Sequence, residues 1–321
     1  TTVANGGRSI LADELIPSFE GNVFNTYLST TGLGKFTKSQ LTKMLAGKVV
    51  SVSPYLQDLE HGVSVRTTPK DLETALQLAY MTYTQPRFDQ AEFEAGFNRI
   101  KAILPNMLKQ PNSVFSKALN EALVCNNPRR PFISEEVLEK ASLANIEKGY
   151  RQLMADQAGL KVYITGNVDL AELRPMVEKY IGSLPVVSQN GTSWRNEGIE
   201  TPKGIQKKEI STPMETPKAS VAIVYNAKME KNLANDIKAS VLNGVLDQLY
   251  TKTIREDEGG TYGVGVQVQL SGEPEDEFIM LVAFDTDVAK APKLVELAKS
   301  GLADIAKNGP DAEYVAKAKE N

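Results

Sequence analysis

One histidine, one cysteine and one tryptophan occur in 321 residues, and each scarcity removes a class of chemistry. Zinc motifs that set two histidines on one helix cannot be built from His61 alone. A single Cys125 allows no internal disulfide, which excludes a disulfide-stapled scaffold and leaves cytosol and periplasm both open. No apolar run approaches the length of a membrane span. A formal net charge of -4 without a dense basic patch gives no case for nucleic-acid binding. The opening residues lack the charged-then-apolar pattern of a secretory leader, which in a cut piece of a longer protein says nothing about location.

What is present is ordinary for a soluble globular protein: 41% hydrophobic and 24% charged residues. The length favours two domains, each large enough to bury a core. Residues 1–16 read as a helix stopped by Pro17, and 22–35 as a polar loop carrying Gly32 and Gly34. A short helix over about 39–46 has Thr37 or Ser39 as N-cap and ends at Gly47. Residues 48–53 and 62–67 are β-branched and alternate with period two, the pattern of a hairpin. Apolar stripes predict helices over 71–84, from about 89, over 113–124 and over 143–154. A buried strand over 159–166 follows, then a helix capped by Asp169.

Residues 187–204 are polar and rich in Gly, Ser, Thr and Asn, and read as a linker, with Trp194 suited to pin it to a domain surface. Beyond it, strands over 207–211 and 218–226 flank a loop stiffened by Pro213 and Pro217. A long helix from about Asn232 carries Ile237, Val241, Val245 and Leu249 at four-residue spacing. Strands over 262–270 and 277–285, a helix over 288–306 and a further helix from Asp311 complete the pattern.

The two halves echo each other. Strand, helix, proline break and acidic helix start occur at 63–67, 71–83, Pro86 and 89–93, and again at 278–284, 291–306, Pro310 and 311–314. The second copy stops soon after its helix begins, at an uncapped Asn321. The expected fold class is therefore α+β: two related domains of mainly antiparallel sheet with helices packed on one face. Residues 1–186 form the first, 187–204 the linker, and 205–321 a second, truncated domain.

The junction Ile254-Arg255-Glu256-Asp257-Glu258-Gly259-Gly260-Thr261-Tyr262-Gly263-Val264 is the stretch the chain is organised around. A long helix runs in, a Gly-Gly turn stops it, and an alternating strand runs out. The turn would bring Arg255 and Tyr262 together. The residues alone leave two readings. Tyr262, Val264, Val266, Val268 and Leu270 share a strand face, which suits Tyr262 as core; Arg255 near a helix C-terminus suits the macrodipole or a nearby acid. The other reading is a pair of hydrogen-bond donors aimed at a ligand. His61 beside Glu60 reads as a structural histidine in preference to a lone metal ligand, and Cys125 as an inert thiol. Glu256-Asp257-Glu258 reads as solvated surface, because three consecutive helical residues do not converge on one point. Gly263 and Gly265 are no phosphate loop, since a strand follows them.

The junction resembles the Arg/Tyr segment in the C-terminal half of pitrilysin-family (M16) zinc metallopeptidases. Two further stretches agree in order: Leu45-Ala46-Gly47-Lys48 through Ser64 with Pro69-Lys70-Asp71-Leu72-Glu73, and Gly166-Asn167-Val168-Asp169 through Gly182-Ser183-Leu184-Pro185. The resemblance implies four related α+β domains in two halves that close like a clamshell. It implies an N-terminal half with an inverted zinc motif, His-x-x-Glu-His, and a C-terminal half without metal. By this resemblance Arg255 and Tyr262 are the catalytic and substrate-binding residues. Zinc would be bound outside this chain, either by an N-terminal half in cis or by a partner subunit, and none is expected within it. The substrate would be an unfolded peptide, with no nucleic acid and no membrane span. A bacterial periplasmic or envelope location is suggested, with the cytoplasm also open. The alternative is a non-catalytic M16-like partner or scaffold subunit.

Overall fold

The computed structural model describes residues 1–20 and 22–320. By their internal contacts these form two compact units: residues 1–110 with 126–200, and residues 111–125 with 201–321. Both are α+β, with antiparallel sheets and helices packed against one face.

In the first unit the chain opens as strand β1 (Thr2–Asn5), where the sequence predicts a helix. Thr2–Asn5 carries no periodic apolar signal. Its strand state comes from long-range pairing, with Ala4 opposite His61 and Thr2 opposite Val162. Two 3-10 turns and the single helical turn α1 (Ile16–Phe19) follow, and they put Leu11, Leu15, Ile16 and Phe19 into the core. Next comes α2 (Val23–Thr30), a helix where a loop is predicted; Val23, Phe24 and Tyr27 are buried, Leu28 packs partly buried against the core, and its remaining residues are polar. α3 (Lys38–Met44) begins in a capping box. Thr37 Oγ1 accepts the Gln40 N–H and Gln40 Oε1 accepts the Thr37 N–H.

The predicted hairpin is β2 (Val50–Leu56) and β3 (Glu60–Thr67), in register from Val50 opposite Thr67 to Leu56 opposite His61. α4 (Leu72–Thr84) and α5 (Gln90–Leu108) follow, the latter capped by Asp89 accepting the Glu92 N–H at 3.1 Å. α6 (Pro111–Leu123) groups with the second unit. The short α7 (Glu135–Lys140) has no counterpart in the sequence reading, and α8 (Leu143–Met154) lies where predicted. The predicted strand over 159–166 shrinks to β4 (Lys161–Val162), and α9 (Leu170–Tyr180) starts from Asp169. The sheet order is β2-β3-β1-β4, which leaves β2 at one edge.

Residues 187–200 are tied to the first unit. Asp156 accepts the N–H groups of Val187 at 2.9 Å and Ser188 at 3.1 Å. Its pKa is held down to about 2, first by the Ser188 hydroxyl and then by the Val187 and Ala158 N–H groups. Arg195 bonds the Ser9 and Leu11 carbonyls. Glu197, almost fully buried, is paired by Arg129 and Arg130. The half-buried Trp194 sits among these polar ties.

In the second unit, residues 207–211 form no strand. β5 (Ala219–Ala227) leads to α10 (Leu233–Tyr250), whose Asn232 cap accepts the Asn235 N–H at 2.9 Å. β6 (Val264–Ser271) and β7 (Glu277–Thr286) complete a sheet in the order β5-β7-β6. α11 (Ala291–Asn308) and α12 (Ala312–Glu320) follow. Met280, Val282 and Phe284 alternate along β7 and meet Leu246, Tyr250, Ile254, Leu294 and Ala298 from the helices, which is this unit's core.

His61 is structural. It is 1% exposed, its Nε2–H donates to the Leu153 carbonyl at 2.6 Å, and its Nδ1 accepts the Gly7 N–H at 3.2 Å. Both ring nitrogens are used in the neutral state, and burial lowers the pKa despite the Leu153 bond. Below the ordinary histidine value of about 6.5 the unfolded chain takes up a proton that the folded chain refuses, so stability declines as pH falls through that range. In urea titrations the midpoint is expected to drop between about pH 7 and pH 5, and His61→Gln is expected to flatten that drop. Parallel curves for the two proteins would assign the dependence to other groups.

Candidate functional site

The junction between α10 and β6 is built from its buried residues outward. α10 does not simply end at Tyr250: it widens into a π-helical turn, Thr251–Asp257. Such turns shift the register of the side chains that follow and occur often at functional positions. Here the shift is pinned at both ends. Tyr250 is buried, and its hydroxyl donates to the Ala298 carbonyl at 2.8 Å. Ile254 is wholly buried, and its carbonyl accepts the Gly260 N–H at 3.2 Å.

The two glycines of the turn have different tasks. Gly259 has φ 54, the left-handed conformation that reverses the chain with least cost when no Cβ is present. Gly260 is constrained by space: a Cβ there would lie 2.6 Å from Leu294 Cδ1 and 2.9 Å from Cδ2, and Leu294 is itself buried. The Thr286 hydroxyl donates to the Gly260 carbonyl, Lys290 Nζ donates to that of Gly259 at 3.2 Å, and Lys293 pairs with Glu258. Thr261 Oγ1 then closes a local turn, donating to the Gly263 carbonyl and accepting the Gly263 N–H. The strand begins at Val264.

On this frame Arg255 and Tyr262 both face solvent. Tyr262 is fully exposed and precedes the strand, so its reading as a core residue is overturned: the local turn at Thr261–Gly263 delays the alternation that would have buried it. Arg255 is exposed on the π-helical turn. Among the described residues neither side chain makes a hydrogen bond or ion pair, to each other or to anything else, so the macrodipole remains the sole internal role open to Arg255. Glu256 and Asp257 are exposed as well, in keeping with a solvated surface. The arrangement offers two unengaged donor groups, a permanently charged guanidinium and a phenol, on a turn whose backbone is fixed by burial. Each group is of a kind that can bind a carbonyl oxygen and stabilise negative charge that develops on it.

No three His, Cys, Asp or Glu side chains converge as a metal site among the described residues. The one histidine is committed to Gly7 and Leu153. The donor set of this chain therefore does not fit a catalytic zinc.

Comparison with known proteins gives a consistent set of likenesses. Residues 142–321 match the family described as Peptidase M16 inactive domain, a span that includes the junction. Across 259 residues the chain is 24% identical to a zinc protease PQQL-like protein of Arabidopsis thaliana, covering 76% of this chain and 27% of that protein. Among solved structures it resembles the periplasmic protease PqqL from Escherichia coli, with TM-score 0.83 and 19% identity over 100% of this chain and 35% of the other. It also resembles a peptidase M16 inactive domain from Pseudomonas fluorescens, with TM-score 0.75 and 16% identity over 99% and 76%. The chain thus spans less than a third of the length of the curated relatives it matches.

The packing predicts a separation of frame from donors. Gly260→Ala is expected to lower unfolding free energy by about 1–3 kcal/mol, because its Cβ would displace the buried Leu294 side chain from the core. Arg255→Ala and Tyr262→Phe are expected to stay within about 0.5 kcal/mol of the parent protein. Denaturant unfolding of the three variants checks this; a large loss from either donor variant would show it to be part of the frame.

Proposed function

The chain belongs to the M16 peptidase family and carries its inactive domain, and from that premise we propose that it is the substrate-binding, non-metal half of a zinc-dependent peptidase. The observation that carries this reading is the Arg255–Tyr262 pair: two donors with no internal partner on a rigid, buried-backed turn. A side chain without any internal bond, on a backbone that is held in place, is available to an external acceptor.

The chemistry suits a peptide carbonyl. Attack on an amide carbon moves charge onto its oxygen, and donors already aimed there lower the barrier without reorganising. A guanidinium stays protonated throughout and offers several N–H groups in one plane, while the phenol adds a single O–H donor. In this role Arg255 and Tyr262 hold the unfolded peptide by a carbonyl and stabilise the oxyanion formed from it. The metal belongs to residues outside this chain, in an N-terminal half in cis or in a partner subunit. The Escherichia coli relative is described as periplasmic, and the same compartment is proposed here.

In the active full-length protein or assembled complex, Arg255→Ala and Tyr262→Phe are each expected to lower turnover by about 100-fold with unfolding unchanged. The isolated chain is expected to cleave no peptide. Wild-type turnover in both variants would remove the pair from the mechanism, and chelator-sensitive cleavage by the isolated chain would refute the placement of the metal elsewhere. If no His-x-x-Glu-His occurs upstream or in a neighbouring reading frame, the scaffold reading replaces the enzymatic one.

A further inference from the structure

In the first unit the outer edge of β2 is open, and its hydrogen-bonding pattern can be read residue by residue. Pro54 stands opposite Val63. The Val63 N–H donates to Thr2 Oγ1 at 2.8 Å, on the β1 side of β3, and Pro54 has no N–H to give. Pro54–Val63 is therefore a non-hydrogen-bonded pair, and antiparallel alternation makes Val52–Val65 and Val50–Thr67 the same kind. The N–H and C=O groups of Val50 and Val52 point away from β3, together with the Pro54 carbonyl. Among the described residues no loop, helix or side chain bonds to Val50 or Val52 from that side.

Beside this edge lies a cavity of about 390 Å³. Its walls include Val50, Val52 and Pro54 of the strand and Leu41 and Leu45 of the α3 region. α3 has no fully buried residue; Leu41 lines the cavity, and Met44 is exposed away from it. The charge around the cavity is one-sided. From Asn22 to Gln57 the sequence contains no Asp or Glu, and it contains Lys35, Lys38, Lys43 and Lys48. Lys38 and Lys48 line the cavity and no carboxylate does; Arg87, also in the wall, is already paired with Asp89 and Glu92. Lys48 has a distant carboxylate, Asp71, at 3.9 Å, while Lys38 and Lys43 have no ion pair among the described residues.

We propose that β2 and the α3 cavity form a second peptide-binding site, which takes an extended segment of another polypeptide as an added antiparallel or parallel strand. Backbone groups at Val50, Val52 and Pro54 set a window of about five residues, at roughly 3.3 Å per residue. Alternate side chains of the segment enter the cavity, so those positions are apolar, and the lysines select Asp or Glu at its flanks. Pro54 removes one donor and confines the pairing, which limits wider edge-to-edge association without closing the site. This inference is independent of Arg255 and Tyr262.

The probe is a fluorescein-labelled peptide, Glu-Ser-Leu-Ser-Leu-Ser-Glu, titrated with the 321-residue chain and followed by anisotropy. Two further peptides carry N-methyl groups, one on the leucines and one on the serines. Strand addition turns one set of N–H groups toward β2 and the other toward solvent. One methylated peptide is therefore expected to bind about tenfold or more weakly and the other like the parent. Val52→Pro, which removes an outward N–H and spares the β3 ladder, is expected to weaken the parent peptide similarly. Lys38→Glu with Lys43→Glu is expected to weaken it in low salt. Equal affinities for the two methylated peptides, or no saturable binding of the parent, overturns the proposal whether or not Val52→Pro folds. Loss of binding on Arg255→Ala or Tyr262→Phe would also overturn it, by moving the peptide to the junction.

Discussion

Ile254 is the fixed point of the second unit. Its side chain is wholly buried between β7 and α11, and its carbonyl receives the Gly260 N–H, so helix end and turn are locked to the same atom group. Everything that distinguishes the junction follows. Tyr250 and Ile254, four residues apart, both turn inward across the π-helical turn, and Arg255, the next residue, lies outward. The close approach to Leu294 leaves no room for a side chain at position 260, and the reversal at Gly259 returns the chain toward β6. Burial of an isoleucine, at roughly 2–3 kcal/mol, is a larger and less salt-sensitive term than the exposed Lys293–Glu258 pair that also braces the turn.

The parts of this architecture visible in the sequence are those set by local pattern. The hairpin at β2 and β3, the caps at Thr37, Asp89, Asp169 and Asn232, and the long amphipathic α10 all lie where short-range spacing puts them. The N-terminal residues show the opposite case. Ile10, Leu11, Leu15 and Ile16 have helical spacing, yet Thr2–Asn5 becomes a strand within the sheet because β3 and β4 lie on either side of it. Nothing within 16 residues encodes a partner 60 or 160 positions away. α2 was hidden for a different reason: the inward set Val23, Phe24, Tyr27 and Leu28 is short, and the Asn, Thr and Ser around it mimic a loop.

Composition also misdescribes residues 187–200. Their Gly, Ser and Asn content looks like a linker, but Arg129, Arg130, Arg195 and Asp156 hold them against the first unit. Glu197 explains why so many cations gather there. A carboxylate almost out of solvent is costly unless paired, and two guanidiniums from 129 and 130 meet it. Such a network is assembled from residues far apart in sequence, so no window of the chain announces it. The candidate site was legible in its residue types and spacing, because Arg255 and Tyr262 are separated by a recognisable turn; the exposure of Tyr262 was not, since the delay of β6 to Val264 depends on the local bonds of Thr261.

Both proposed sites present the same physical condition: polar groups that the fold positions but does not satisfy. Several buried ring and hydroxyl groups are used internally, including those of His61, Tyr83, Tyr150 and Tyr250. Arg255 and Tyr262 have no such bond among the described residues, and the outward backbone groups of Val50 and Val52 have none either. Solvent exposure makes their lack of partners inexpensive in the free chain. Water satisfies them until a ligand replaces it, and the gain on binding is then set by how little the donors must move. In the junction that movement is limited by Ile254 and Gly260, and at β2 by the hairpin ladder. Rigid support beneath unengaged donors is the arrangement that lets a modest number of hydrogen bonds discriminate between ligands.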